Sequence, residues 1–228
     1  MKQLNTFVLA GIAFFALACN NGGSDKAATT TEQQVAEGHG APFAVNVDSS
    51  AVSWKAYHKG GFAPRWGTLN IQSGEFTVDG DQITSGTFVI DVNSLWVDPS
   101  SVTEADRKVE DLQAHLKSED FFNAAVHPTA TFSITSVTNF EAETAGSSAV
   151  DGANKVVSGN LTLRDSTINI TFPARITVAE GSASVAANFT VDRTVWGLKF
   201  GTAEADPADW IVAKDFEVGV DIVAYPAN

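Results

Sequence analysis

The chain has 228 residues, with 27 acidic against 14 basic side chains and a formal net charge of −13. A surface this acidic repels nucleic acid and anionic lipid headgroups, which excludes both as partners recognised by charge. The only cysteine cannot form an intramolecular disulfide, so the fold depends on its apolar core.

The first predicted element is an apolar segment that ends at this cysteine. Phe7–Ala18 follows Lys2, and its 12 residues fit a signal-peptide core but are fewer than the roughly 20 that span a bilayer. A secretory segment that stops at cysteine resembles a bacterial lipoprotein signal, although Ala16 stands where such signals prefer leucine. We predict a signal peptide over residues 1–18, lipidation of Cys19, and membrane anchoring in the cell envelope outside the cytoplasm. Ordinary secretory cleavage that leaves a free thiol is the alternative.

The next segment, residues 19–42, is polar, small and aperiodic. It offers too little apolar surface to offset the entropy of ordering, so its composition predicts a flexible tether. Residues 43–228 remain for one folded domain.

Within this domain the dominant pattern is an alternation of apolar and polar residues. It is clearest over Ile168–Val178, Ala183–Val191 and Phe216–Ala224. Such alternation predicts antiparallel strands with one buried and one wet face. Turn signals occur at Asp79–Asp81, Asp151–Gly152, Asp165–Ser166 and Glu180–Gly181. We predict an all-β fold of about eight strands, either a closed barrel or a two-sheet sandwich, because the pattern alone does not choose between them.

One segment departs from this pattern and predicts a short amphipathic helix. Thr103–Asp106 has the character of a helix N-cap followed by acidic residues in the first turn. Apolar residues then recur at helical spacing, at Val102, Ala105, Val109, Leu112 and Leu116. We expect about three turns that close one end of the sheet.

Several local motifs resemble those of the YceI-like family. His115–Asn123 (HLKSEDFFN), followed by His127-Pro128 and Ala130–Phe132 (ATF), is similar to the family's HLxSxDFFD…(Y/H)P…ATF signature. Further matches in order and spacing are Asp91–Leu95, Gly159–Arg164 and Phe189–Gly197. The resemblance covers Phe43 to about Ala224, with Asn123 and His127 as small departures.

This resemblance implies an extended, lipocalin-like antiparallel barrel whose interior binds a long apolar molecule. The ligand classes that it implies are polyisoprenoids, isoprenoid quinones and fatty-acid-like lipids, carried or stored in the envelope. A structural or adhesive β-module of the cell surface, with a filled core, is the alternative function.

The candidate site residues follow from the strand faces and from the motifs. The predicted pocket consists of Phe76, Phe88, Ile90, Phe132, Leu161, Leu163, Ile168, Ile170, Phe172, Phe189 and Val191. The predicted polar rim consists of His115, Asp120, Arg193 and Trp196. Each rim residue has a structural alternative: a histidine in the last helical turn is usually electrostatic, and a buried arginine more often binds backbone carbonyls.

The sequence contains few of the motifs that are typical of enzymes. It has no Gly-rich phosphate loop, no G-x-S-x-G elbow and no H-E-x-x-H motif, and His58, His115 and His127 lack a recognised metal-ligand spacing. We therefore predict no enzyme activity, no bound metal and no cofactor apart from a bound lipid. The predicted partners are an apolar lipid and the membrane reached through Cys19, with a homodimer possible through an uncovered strand edge.

Overall fold

The computed structural model describes residues 26–141, 150–203 and 211–227. The predicted signal peptide and Cys19 lie outside the described residues. The strands are β1 (Ala28–Thr31), β2 (Ala41–Val45), β3 (Ala51–Ala56), β4 (Arg65–Asp79), β5 (Gln82–Val97), β6 (Thr129–Asn139), β7 (Lys155–Leu163), β8 (Ser166–Ala179), β9 (Ser182–Asp192) and β10 (Asp215–Pro226). The helices are α1 (Val109–Lys117) and the short 3-10 helices η1 (Val47–Ser49), η2 (Pro99–Ser101) and η3 (Arg193–Trp196).

The strands close into an antiparallel barrel whose wall is 8 strands around, because β2 and β3 together occupy one strand position and β1 pairs only at an edge of β8. Consecutive strands from β4 to β10 pair as neighbours, and β2 and β3 lie one after the other between β4 and β10. Closure leaves no long free edge in this wall, which is how a highly twisted sheet of this size avoids edge pairing. The predicted all-β, lipocalin-like barrel is thus confirmed, and the sandwich is ruled out.

The alternating pattern places the apolar face inside. In β8, Ile170, Phe172 and Ile176 are buried, whereas Arg175 and Thr177 on either side of Ile176 are exposed. The inner faces of the strands together form one continuous apolar core. Burial of this surface is the main favourable contribution to folding, at about 25 cal/mol per Å².

The two ends of the barrel differ. At one end, which we call the helix end, lie α1, η3 and the loop between β3 and β4. At the other, which we call the hairpin end, tight turns join β4 to β5 and β8 to β9. A smaller apolar cluster packs α1 against the barrel through Leu112 and Leu116. Within the described ranges, no helix has the length and apolar character needed to cross a bilayer.

The helix begins later than the sequence predicts. Its N-cap is Lys108 rather than Thr103, and it runs for 9 residues. The predicted first turn is irregular because the Glu104 carboxylate accepts a hydrogen bond from Arg65 of β4. This tertiary contact replaces the capping role that the sequence pattern suggests.

Residues 26–42 also differ from the predicted tether, because they are held against the barrel and partly within its wall. β1 pairs with β8 through Ala28–Thr31, and Lys26 forms an ion pair with Asp215 at 2.6 Å. The backbone N–H of Gln33 donates to the Asn160 side-chain oxygen, and the Asn160 amide donates back to the Gln33 carbonyl. Strand, ion pair and amide contacts thus order a stretch whose composition alone predicts disorder.

The physical reason lies in the neighbouring strands. β8 pairs with β9 only over Arg175–Ala179, so its earlier part, Ile168–Thr171, has a free edge on that side. β1 fills this gap, and Ala27 beside it is buried in the core while its N–H donates to the Thr190 carbonyl of β9. A threonine-rich strand suits such an edge.

Candidate ligand-binding site

The barrel contains an apolar cavity of about 280 Å³. This volume is close to the lower bound of about 300–1,000 Å³ that is usual for small-molecule pockets. The cavity extends from α1 and the β3–β4 loop, at the helix end, to Ile176, Val185 and Ile222 deeper in the barrel. Its walls are the inward faces of the strands, so the period-two pattern of the sequence is what makes it apolar.

Aromatic side chains form a continuous row along one side of the cavity. The ring centroids of Phe88 and Phe132 are 6.3 Å apart, those of Phe132 and Phe172 are 6.0 Å apart, and Phe172 stacks on Phe189 at 4.1 Å. These four residues come from β5, β6, β8 and β9. The row provides a large apolar surface held in fixed geometry.

The hairpin end of the barrel is filled by side chains. Phe43 and Phe76 stack there with centroids 5.9 Å apart, and both are buried. Neither residue is part of the cavity wall. The structure thus places the predicted pocket residue Phe76 off the cavity wall, in the packing that fills this end.

The remaining predicted pocket residues divide as follows. Ile168 also lies off the cavity wall, packed against the core beside β1. The other nine line the cavity: Phe88, Ile90, Phe132, Leu161, Leu163, Ile170, Phe172, Phe189 and Val191. Their contact with a ligand stays a prediction.

The polar side chains of the cavity wall gather at the helix end. They are Tyr57, His58, Arg65, Arg107 and Arg193, and Ser53 of β3 also borders the cavity. Arg65 is buried and donates to the Ser101 carbonyl at 2.6 Å and to Glu104 at 2.5 Å. The hydrogen bond from Arg65 lowers the pKa of the Glu104 carboxyl below its ordinary value. The cavity surface is thus apolar, and polar residues border it mainly at one end.

Arg193 is buried and binds backbone carbonyls. Its guanidinium donates to the carbonyls of Ala213 at 3.0 Å, Phe200 at 2.7 Å and Val212 at 3.1 Å, and also to that of Leu198. Burial lowers the pKa of Arg193 below its ordinary value. The side chain borders the cavity, and its hydrogen bonds correspond to the structural alternative for this residue.

The other three predicted rim residues lie off the cavity wall. His115 is hydrogen-bonded to Asp120 at 3.0 Å near the end of α1, and its ring packs against Phe121 and Phe200. Trp196 is buried, and its indole N–H donates to the Leu161 carbonyl at 3.0 Å. These groups pack the helix end, so the predicted rim does not assemble around the opening. Among the described residues, no three His, Cys, Asp or Glu side chains are grouped as a metal site.

Sequence reasoning missed part of the wall. Val52 and Trp54 line it from β3, and Phe216, Val218 and Val220 line it from β10. The alternation in β3 and β10 could have identified them. Tyr57, His58 and Arg107 come from loops, where the sequence has no periodicity to indicate their direction.

Comparison with known proteins matches most of this chain to one family. A family model described as the YceI-like domain matches residues 43–224. Protein YceI of Escherichia coli O6:H1 is 29% identical over 171 residues, which cover 75% of this chain and 72% of that protein. A UPF0312 protein of Shewanella sp. strain W3-18-1 is 32% identical over 173 residues, covering 74% of this chain and 80% of its own length.

Solved structures show the same fold at lower identity. Burkholderia cenocepacia BcnA has a TM-score of 0.55 and 18% identity, covering 78% of this chain and 98% of its own. A polyisoprenoid binding domain from Saccharophagus degradans, implicated in plant cell wall breakdown, has a TM-score of 0.54 and 14% identity, covering 83% and 100%.

Proposed function

Because this chain belongs to the YceI-like domain family, we propose that its barrel binds a long apolar amphiphile and performs no catalysis on it. The observation that carries the proposal is the cavity of about 280 Å³ with its row of phenylalanine rings. A prenyl or acyl chain is nearly all apolar surface, and its burial contributes about 25 cal/mol per Å². The ligand classes are polyisoprenoids, isoprenoid quinones and fatty-acid-like lipids. The Saccharophagus degradans domain, which shares the fold, supports the first of these.

The polar residues that border one end of the cavity favour an amphiphile over a plain hydrocarbon. Tyr57, Arg65 and Arg107 border only this end, so a polar headgroup would lie there while the chain extends toward Phe172. Trp54 borders the same end, and its indole N–H is buried without an acceptor among the described residues. Such an arrangement is typical of ligand sites that obtain affinity from apolar walls and orientation from a few polar groups.

We further propose that the protein is a lipoprotein anchored through Cys19 in the cell envelope. The support is the signal-like segment before Cys19 and the acidic, polar character of the chain after it. An anchored barrel could carry or store the ligand beside the membrane.

Native mass spectrometry tests the binding function. The full chain carrying Cys19→Ser is purified from the periplasmic or culture fraction without detergent, and its mass is recorded before and after organic extraction. We expect an additional mass that extraction removes and that fragmentation identifies as one of these lipids. An unliganded mass that persists after incubation with quinones and polyprenols would overturn the proposal in favour of the structural or adhesive β-module.

A further inference from the structure

The helix end exposes large apolar side chains. Phe62 lies in the β3–β4 loop, Val126 lies between α1 and β6, and Val195 and Phe200 lie in and just after η3. Each is exposed, Val126 by 65%. Phe62 stacks on His58, and Phe200 packs edge-to-face against His115. Four such side chains thus occur in the segments that form one end of the barrel, which is a higher density than the single exposed apolar residues usual on a soluble protein.

The same end is where polar residues border the cavity and one of them is exposed. Exposed Arg107 and the loop residue His58 are part of the cavity wall there, whereas stacked Phe43 and Phe76 fill the opposite end. A ligand that enters along the barrel axis must therefore pass the exposed apolar side chains.

Exposed bases also occur at the helix end. They include Lys59, Arg107 and Lys199, and they lie among a larger number of exposed acids in and around α1. The turns of the hairpin end carry the exposed acids Asp79, Asp81 and Glu180. The bases give the helix end cationic groups that can contact lipid phosphates.

The path of the N-terminal segment points the same way. Lys26 is held beside Thr190 by a parallel bridge and by its ion pair with Asp215. Thr190 is two residues from the helix end of β9 and eight from its hairpin end at Ser182, which correspond to about 7 Å and about 26 Å. Cys19 precedes Lys26 by seven residues, and a chain of that length spans at most about 25 Å. With a lipid on Cys19, the helix end can face the membrane while the segment between Cys19 and Lys26 is not fully extended. The hairpin end could face the membrane only if that segment were fully extended.

We infer that the helix end docks on the surface of a lipid bilayer, with Phe62, Val126, Val195 and Phe200 in the interfacial region and the cavity open toward the lipid. The inference rests on the proposed function, because a bilayer is where a long apolar amphiphile is taken up or delivered. Apolar side chains with nearby bases are the combination that holds a folded surface at a membrane interface, and a lipid anchor supplies a second attachment.

Site-specific fluorescence tests the orientation. Lys199→Cys at the helix end and Glu180→Cys at the hairpin end are labelled with an environment-sensitive dye. The full chain, isolated from membranes, is reconstituted in vesicles of phosphatidylethanolamine and phosphatidylglycerol. We expect the label at position 199 to shift to the blue and to be quenched severalfold more by spin-labelled lipids than the label at position 180. The unsubstituted chain, treated identically, measures any dye bound to Cys19.

Paired variants complete the test. Phe62→Ser with Phe200→Ser should abolish the quenching at position 199, whereas Tyr225→Ser at the hairpin end should leave it unchanged. Equal quenching at both positions, in a chain that sediments with the vesicles, would refute docking through the helix end. The proposed binding function would still stand in that case if native mass spectrometry finds the ligand. A chain that fails to sediment with vesicles would overturn both docking and anchoring.

Discussion

Arg193→Met separates a structural role for this arginine from a role in ligand binding. The guanidinium donates to four carbonyls, two after η3 (Leu198 and Phe200) and two before β10 (Val212 and Ala213). A hydrogen bond to a charged group contributes about 1.5–3 kcal/mol, so simple addition gives about 6–12 kcal/mol. Desolvation of the buried guanidinium, which also lowers its pKa, offsets part of this sum. Carbonyls near the surface can regain hydrogen bonds to water, which offsets more.

The expected loss is therefore about 3–5 kcal/mol, of the size found when a buried charge network loses one member. For a domain of this length it corresponds to a decrease in Tm of roughly 6–20 °C. Urea unfolding and thermal scans of Arg193→Met measure it, and Arg193→Lys should lie between the two proteins because lysine keeps the charge but not the fork of donors. An unchanged Tm together with loss of the bound lipid would show that Arg193 serves the ligand and that the structural reasoning is wrong.

Three further predictions concern the core, the acid response and the anchor. Phe172→Asp should prevent folding, because the lost ring alone costs about 3–5 kcal/mol and an unpaired carboxylate would be buried. The control Thr177→Asp changes an exposed residue of the same strand, and its free energy of unfolding should stay within about 0.5 kcal/mol of the wild type. Equal stability of the two variants in urea unfolding would contradict the assigned strand faces. The lowered pKa of Glu104 means that its contribution to stability is complete above its ordinary value of 4.5 and is lost as the pH falls through the lower folded-state value. The difference in Tm between wild type and Glu104→Gln should thus be constant at higher pH and should become smaller as the pH falls below about 4.5. A Tm difference that stays the same or becomes larger in acid would refute this reasoning. Cys19→Ser should move the protein from the membrane pellet to the soluble fraction, and a variant that still sediments with membranes would contradict lipidation.

Much of the fold could be predicted because each strand carries its own signal. The alternation through Ile170, Phe172 and Ile176 requires one buried face, and a closed barrel buries that face for every strand. The start of α1 could not be predicted, because the capping signal at Thr103 competes with the contact between Glu104 and Arg65, two residues far apart in the sequence. The ordering of residues 26–42 likewise depends on a free edge of β8 that appears only in the assembled barrel.

The candidate site was predictable to a similar degree. The strand faces predict that Phe132, Phe172 and Phe189 point inward, and the structure has all three on the cavity wall, while their contact with a ligand stays a prediction. They could not distinguish Phe76, which has the same pattern, because the stack with Phe43 decides which end of the barrel is filled. Polar groups such as Arg107 come from irregular segments, whose direction is set by tertiary packing rather than by local sequence.

The central claim is that the barrel holds one amphiphile lengthwise, with its polar head at the helix end. A crystal structure of the protein loaded with a long-chain isoprenoid quinone tests it most directly. The account predicts continuous ligand density from the helix end past the row of phenylalanine rings toward Ile176 and Ile222, with the quinone ring near Tyr57 and Arg107. Density confined to the outer surface, or a barrel whose side chains close over the cavity in the loaded crystal, would contradict it.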